Sequence, residues 1–166
     1  CYRCPLGKVR ESCAMDCAAQ LEATLEREAG RVLAVILEPG IQAAADAIIR
    51  NNIILDGPGN GFNSQPHQGA TPSNLQFVHN TVVGGSPCLR LSSWSGRPGL
   101  VFANNAIYCD ADDFAVGGLT GVTVAGNVVT PATSALPAAG YRVGQTVALD
   151  LLDVAARNVY PRAGSR

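Results

Sequence analysis

The chain has 166 residues, a formal net charge of −1 and only 15% charged residues, well below the roughly one quarter usual for soluble domains. With no basic run and few aromatics it is a poor nucleic-acid binder, and no stretch reaches the ~18 consecutive apolar residues of a membrane helix. The length suits one domain with a core of useful size, and 18 glycines and 10 prolines point to a loop-rich fold.

The chain begins with Cys1 and polar residues, without a cleavable leader pattern, and stops abruptly at Arg166. It therefore reads as a fragment, and its compartment cannot be taken from a targeting signal. Cys1, Cys4, Cys13 and Cys17 form C-x2-C-x8-C-x3-C, a spacing able to hold zinc on four thiolates. The alternative is free thiols, since Cys17 also falls on the apolar stripe of a predicted helix. That helix covers Cys13 to Glu28, with Ala14, Cys17, Ala18, Leu21, Thr24, Leu25 and Glu28 at i, i+3, i+4 intervals. Gly30 stops it. Val32 to Leu37 is a continuous apolar strand of the kind buried on both faces, and Pro39 ends it.

Tyr2-Arg3-Cys4-Pro5-Leu6-Gly7, Cys17-Ala18, Leu21-Glu22 and Ala34-Val35-Ile36-Leu37-Glu38-Pro39 resemble a fragment of the class III, pyridoxal-phosphate-dependent aminotransferases. That resemblance implies a downstream Asp on the pyridine nitrogen and a Lys for the Schiff base. The chain has a single lysine, Lys8, ahead of the helix, and nothing after Gly40 continues the family pattern. Residues 1–45 are thus expected to be a helix–strand remnant without aminotransferase activity, serving at most as a cap on the remainder of the chain, with the break between Glu38 and Ala45.

From residue 46 onward a different pattern takes over. An asparagine followed by a short apolar strand occurs five times: Asn52-Ile53-Ile54-Leu55, Asn80-Thr81-Val82-Val83, Asn105-Ala106-Ile107-Tyr108, Asn127-Val128-Val129-Thr130 and Asn158-Val159-Tyr160. Intervals of 28, 25, 22 and 31 residues mark one supersecondary unit stacked on copies of itself. A second short strand precedes each of the first four asparagines, as in Leu75-Gln76-Phe77-Val78-His79 and Leu100-Val101-Phe102-Ala103-Asn104. The corner between the two strands suits Asn, which tolerates left-handed backbone angles, and stacked Asn side chains can bond along the stack. Variable loops come after each strand pair, at Asp56 to Ser73, Gly84 to Pro98, Asp110 to Gly121 and Pro131 to Gln145.

Ile49-Arg50-Asn51-Asn52-Ile53-Ile54, Val78-His79-Asn80-Thr81-Val82-Val83 and Phe102-Ala103-Asn104-Asn105-Ala106-Ile107 resemble the right-handed parallel β-helix proteins of the pectin-lyase-like superfamily. The resemblance covers about 120 residues, 46–166, and implies a right-handed parallel β-helix of four to five coils. It also implies polysaccharide binding or processing at the cell exterior, inherited from a longer parent. The same fold hosts non-catalytic, adhesin-like modules, which is the competing expectation. Self-association through an open coil end is expected in either case.

Function on a rigid scaffold sits in its loops. Asp110, Asp112 and Asp113 place three carboxylates in four residues. They suit Ca²⁺ or form a solvated acidic turn. In the pectate-lyase-like enzymes calcium bridges to an acidic sugar and a nearby Arg acts as base, a role the resemblance would give to Arg90. Leu89 to Leu91 is expected to be a further strand that aims Arg90 outward. Trp94, the single tryptophan, and Arg97 suit sugar binding by stacking and hydrogen bonds; the alternative folds Trp94 over the core edge. His67, in the first loop, is either an acid–base group or a surface histidine. His79 takes the turn position of Asn51 and Asn104 and is structural. Cys88 and Cys109, 21 residues apart, fit either a disulfide between neighbouring coils or two buried thiols. A catalytic site would require Arg50, Arg90 and Asp110 to Asp113 to converge on one face.

Overall fold

The computed structural model describes residues 23, 24, 26, 27, 45–55, 59–67, 69–111 and 113–165. The chain divides into two compact units, Cys1–Gly40 and Ile41–Arg166. In the first, Ala23, Thr24, Glu26 and Arg27 are helical, inside the predicted Cys13 to Glu28 helix. The rest of that helix, the Val32 to Leu37 strand and the four N-terminal cysteines lie outside the described residues.

The second unit is a parallel β-solenoid of about three turns. Its strands are β1 (Ala45–Arg50), β2 (Ile53–Leu55), β3 (Phe62–Ser64), β4 (Ser73–Val78), β5 (Thr81–Val83), β6 (Leu89–Leu91), β7 (Val101–Ala103), β8 (Ala106–Tyr108), β9 (Phe114–Val116), β10 (Thr123–Ala125) and β11 (Asn127–Thr130). They stack into three parallel sheets: sheet A is β1-β4-β7-β10, sheet C is β3-β6-β9, and sheet B runs β2-β5-β8-β11 and adds β12 (Tyr141–Val143). Alternation of side chains fixes what faces inward. Ile49, Phe77, Phe102 and Val124 stack in register on sheet A, as do Ile54, Val82, Ile107 and Val129 on sheet B. The Phe62 ring lies 3.8 Å from Phe77, and Phe77 lies 5.6 Å from Phe102, each pair stacked. These rings and the buried leucines of β4 and β6 form a continuous core.

The predicted asparagine stack is present for the first four copies. Asn52, Asn80 and Asn105 each donate from backbone N and from Nδ2 to Oδ1 of the next asparagine in the series, at 2.9–3.2 Å. Nδ2 of Asn80, Asn105 and Asn127 also donates back to the sheet A carbonyls of Ile49, Phe77 and Phe102. The residue ahead of each ladder asparagine is left-handed: Asn51, His79, Asn104 and Gly126 have φ of 59°, 55°, 55° and 65°. His79 is therefore a turn residue, as its position predicts. A second left-handed column, Asp46, Asn74, Gly99 and Gly121, repeats six residues before the ladder (46 to 52, 74 to 80, 99 to 105, 121 to 127). Two left-handed corners thus hold sheet A to a constant segment length, and all length variation falls in the remaining loops.

Two expectations change. Three turns carry strands of all three sheets; the fourth has β10 and β11 but, among the described residues, no strand in sheet C. Pro131 and Pro137, which lack backbone N–H donors, fall in that stretch. Instead Leu136 enters the core at 4% exposure, and Tyr141 Oη donates to the Thr133 carbonyl and accepts from the Thr133 amide. Asn158 does not extend the ladder. It lies in β14 (Asn158–Pro161), paired antiparallel with β13 (Leu151–Asp153), and its Oδ1 accepts from its neighbour Tyr160 N. The motif repeats locally here, with Arg157 at φ 58°, but it turns a hairpin rather than a coil. A single helical turn, Val147–Asp150, precedes β13.

Candidate functional site

Sheet C carries Arg90 in β6, with Asp113 just ahead of β9. Its strands read in–out–in: Phe62 and Ser64, and Leu89 and Leu91, are buried. The middle residues Asn63, Arg90 and Ala115 align in register across the three coils and face outward. Arg90 is half-buried, and its Nε donates to Asn60 Oδ1 at 3.4 Å. Asp113, half-buried, sits just ahead of β9, where its carbonyl accepts from Cys88 N at 3.0 Å. Cys88 and Cys109 are joined as a disulfide with Cα atoms 5.6 Å apart. Of the two alternatives left open by their spacing, the bridge is therefore the one present. It ties the start of β6, and so Arg90, to the connection that carries Asp110. Asp110 is exposed, and Asp112 lies outside the described residues. Among the described residues no group of three or more His, Cys, Asp or Glu is placed to hold an ion.

The remaining candidates do not join this face. Trp94 is 0% exposed, and its indole N–H donates to Ser64 Oγ at 2.9 Å. It is a core residue folded over the coil edge, and no face of the ring is open to a sugar. The reason is length: after β6 the chain turns at Ser93, φ 59°, and the large ring fills the space beside the small Ser64. Arg97 is exposed, and its amide donates to the Trp94 carbonyl at 3.2 Å. His67 is half-buried and pairs with Ala70 through two backbone hydrogen bonds of 3.0 Å in the first loop. Arg50 belongs to β1 of sheet A, a different sheet from Arg90, so the convergence required for a site built on both is not present.

The sequence pattern missed Asn60 and Asn63, because Phe62-Asn63-Ser64 falls inside a segment that reads as a variable loop. The signal available was the buried–exposed–buried alternation shared with Leu89-Arg90-Leu91. It also missed a polar cluster on sheet B. Asp150 is 1% exposed; its Oδ2 accepts from Tyr108 Oη at 3.2 Å and Gln145 N at 2.8 Å, and its Oδ1 accepts from Gln145 Nε2 at 3.2 Å. Burial, and then the neighbouring Asp150 carboxylate, raise the Tyr108 phenol far above its ordinary value.

Among curated proteins, the chain is similar to an adenosylmethionine-8-amino-7-oxononanoate aminotransferase of Geobacter sulfurreducens, at 38% identity over 58 residues. That stretch is 34% of this chain and 13% of the aminotransferase, so the chain spans a small part of that relative's length. No protein-family model and no solved structure matches the chain.

Proposed function

We propose that the solenoid is a polysaccharide-binding module, that it coils right-handedly in the manner of the pectin-lyase-like superfamily, and that sheet C is its binding face. The handedness follows the strong preference of parallel crossover connections, right-handed in about 98% of cases. The observation that carries the functional part is the alignment of Asn63 and Arg90 on adjacent coils, with Asn60 beside the guanidinium. Coils stacked at the ~4.8 Å spacing of neighbouring strands offer hydrogen-bond donors and acceptors at regular steps, which suits an extended chain rich in hydroxyls or carboxylates. Arg supplies a planar fork for such groups. Asp110, Asp112 and Asp113 are proposed to add Ca²⁺ where the ligand is acidic, on the chemistry of the donor set. Trp94 has no part in this proposal.

The aminotransferase similarity brings no activity into the proposal. Schiff-base chemistry needs a lysine in the cofactor pocket, and the single lysine, Lys8, precedes the helix. The test is a panel of acidic and neutral polysaccharides, with and without Ca²⁺, followed by binding and by ultraviolet absorbance of unsaturated products. Binding lost in Arg90→Ala and retained in Arg50→Ala places the ligand on sheet C. Absorbance that grows with Ca²⁺ and vanishes in Arg90→Ala and Asp113→Ala makes the module a lyase. Silence from protein with an intact β-sheet circular dichroism spectrum leaves a non-catalytic scaffold.

A further inference from the structure

The outer face of sheet B is covered by the chain's own C-terminal segment. Leu55, Val83 and Tyr108 align in register on three successive coils, and Leu151 and Val159 pack with Val83 and Tyr108 in a buried cluster separate from the main core, with Leu55, Val147 and Val154 around it. The covering segment has a weak claim to stability of its own. Among the described residues its strands β13 and β14 pair only with each other, and an isolated two-stranded hairpin is marginal in water. Its turns close on themselves: Leu149 N and Asp150 N donate to Thr146 O, Arg157 N to Val154 O, and Arg162 N to Asp150 O. The Arg162 guanidinium also donates to carbonyls within the segment, those of Ala148 and Leu151. Its hydrogen bonds to the coils, among the described residues, come from two hydroxyls: Thr130 Oγ1 to the Gln145 carbonyl and Tyr108 Oη to Asp150 Oδ2.

We propose that residues 145–165 form a strap that opens from sheet B as one unit while the coils remain folded, with the Tyr108–Asp150 hydrogen bond as its clasp. The coils do not need the strap for their main-chain bonding, because β11 is already paired on both edges, by β8 and β12. The strap does need the coils, because docking on Leu55, Val83 and Tyr108 is what buries its apolar side. Asp150 turns this asymmetry into a latch. Its carboxylate is taken out of water against a phenol and two nitrogen donors, so losing the phenol leaves a buried charge short of a partner. Lifting the strap uncovers an apolar column one side chain wide per coil. This proposal is independent of carbohydrate binding on sheet C.

Hydrogen exchange of the whole chain under native conditions tests it. The expected result is that amides of 149–162 exchange together, at least about tenfold faster than those of β4, β5, β7 and β8. Tyr108→Phe, which keeps the ring and removes only the hydroxyl, is expected to speed exchange in the strap by about tenfold, the size of a hydrogen bond to a charged acceptor, and to leave the coil strands unchanged. Asp150→Asn is expected to act in the same direction. Strap and coil amides that exchange at one common rate, or that accelerate equally in Tyr108→Phe, would overturn the proposal and make 145–165 an integral part of the solenoid.

Discussion

At each ladder position one asparagine side chain satisfies groups from two coils and two sheets. Asn105 is the most demanding case: its Oδ1 accepts from Asn80 N and Nδ2, while its Nδ2 donates to Phe77 O and Asn127 Oδ1, all at 2% exposure. Asn105→Ala strands several buried polar groups at once, and each costs roughly 1–3 kcal/mol. The expected loss is about 3 kcal/mol or more in urea unfolding. Asn52→Ala, at the half-exposed first coil where water can replace the amide, is expected to cost about 1 kcal/mol; equal losses at both positions would mean that burial does not set the value of the ladder. The corner residues obey a different rule. His79 holds φ 55° with its side chain exposed, and left-handed backbone costs a non-glycine residue roughly 1–2 kcal/mol. His79→Gly is therefore expected to raise stability by up to about 1 kcal/mol after the entropy lost by glycine, whereas His79→Val lowers it.

At the scale of elements, legibility followed the number of independent signals. The ladder asparagine, its left-handed neighbour and the flanking apolar strands all recur, so sheets A and B could be read from the sequence with their register. Sheet C carries only three-residue strands whose sole mark is a buried–exposed–buried triplet, and Phe62-Asn63-Ser64 with its two polar residues was hidden among glycines and prolines. Asn158 shows the opposite failure. It repeats the local left-handed Asn motif, but the motif encodes only a corner, and a corner serves a hairpin as readily as a coil. The site suffered for the same reason: exposure of Trp94 depends on whether its loop can fold back onto Ser64, a long-range fact that spacing does not contain. The Cys88–Cys109 link belongs to this scale as well. It crosses between coils with a sequence separation of 21 residues, for which the chain-entropy account gives roughly 3 kcal/mol. Both cysteines belong to the core, and small thiols pack there acceptably. Reduction should therefore lower the unfolding free energy by about that amount and leave the circular dichroism spectrum unchanged; loss of the spectrum would show that the link is needed for the coils to form.

At the scale of the whole solenoid, stability is a sum over stacked coils plus the terms that close its ends. The outer face of sheet B, where Tyr108 meets the C-terminal segment, carries a pH signature. The Tyr108 phenol is raised by burial and by Asp150, so the unfolded chain loses its phenolic proton first. The contribution is complete below the ordinary tyrosine value of about 10 and is lost as pH climbs above it toward the folded value. Unfolding free energy should fall above pH ~10 in the native chain, and that part of the fall should be absent in Tyr108→Phe.

The core itself is closed by Leu136, which sits where the fourth coil has no described sheet C strand and is held there by the Thr133–Tyr141 bonds. A solenoid end without such a plug exposes apolar core and unpaired strand edges together, the combination that drives end-to-end association. Leu136→Ala should cost about 2–4 kcal/mol as a large-to-small core change. Leu136→Asp should do more than destabilise: by placing a carboxylate at the plug it should leave the coil end open and yield concentration-dependent association in sedimentation velocity at protein concentrations where the native chain shows none. A variant that is destabilised yet shows no added association would locate the closure of the end in the Tyr141 and β12 contacts instead, because those remain in place when the leucine is gone.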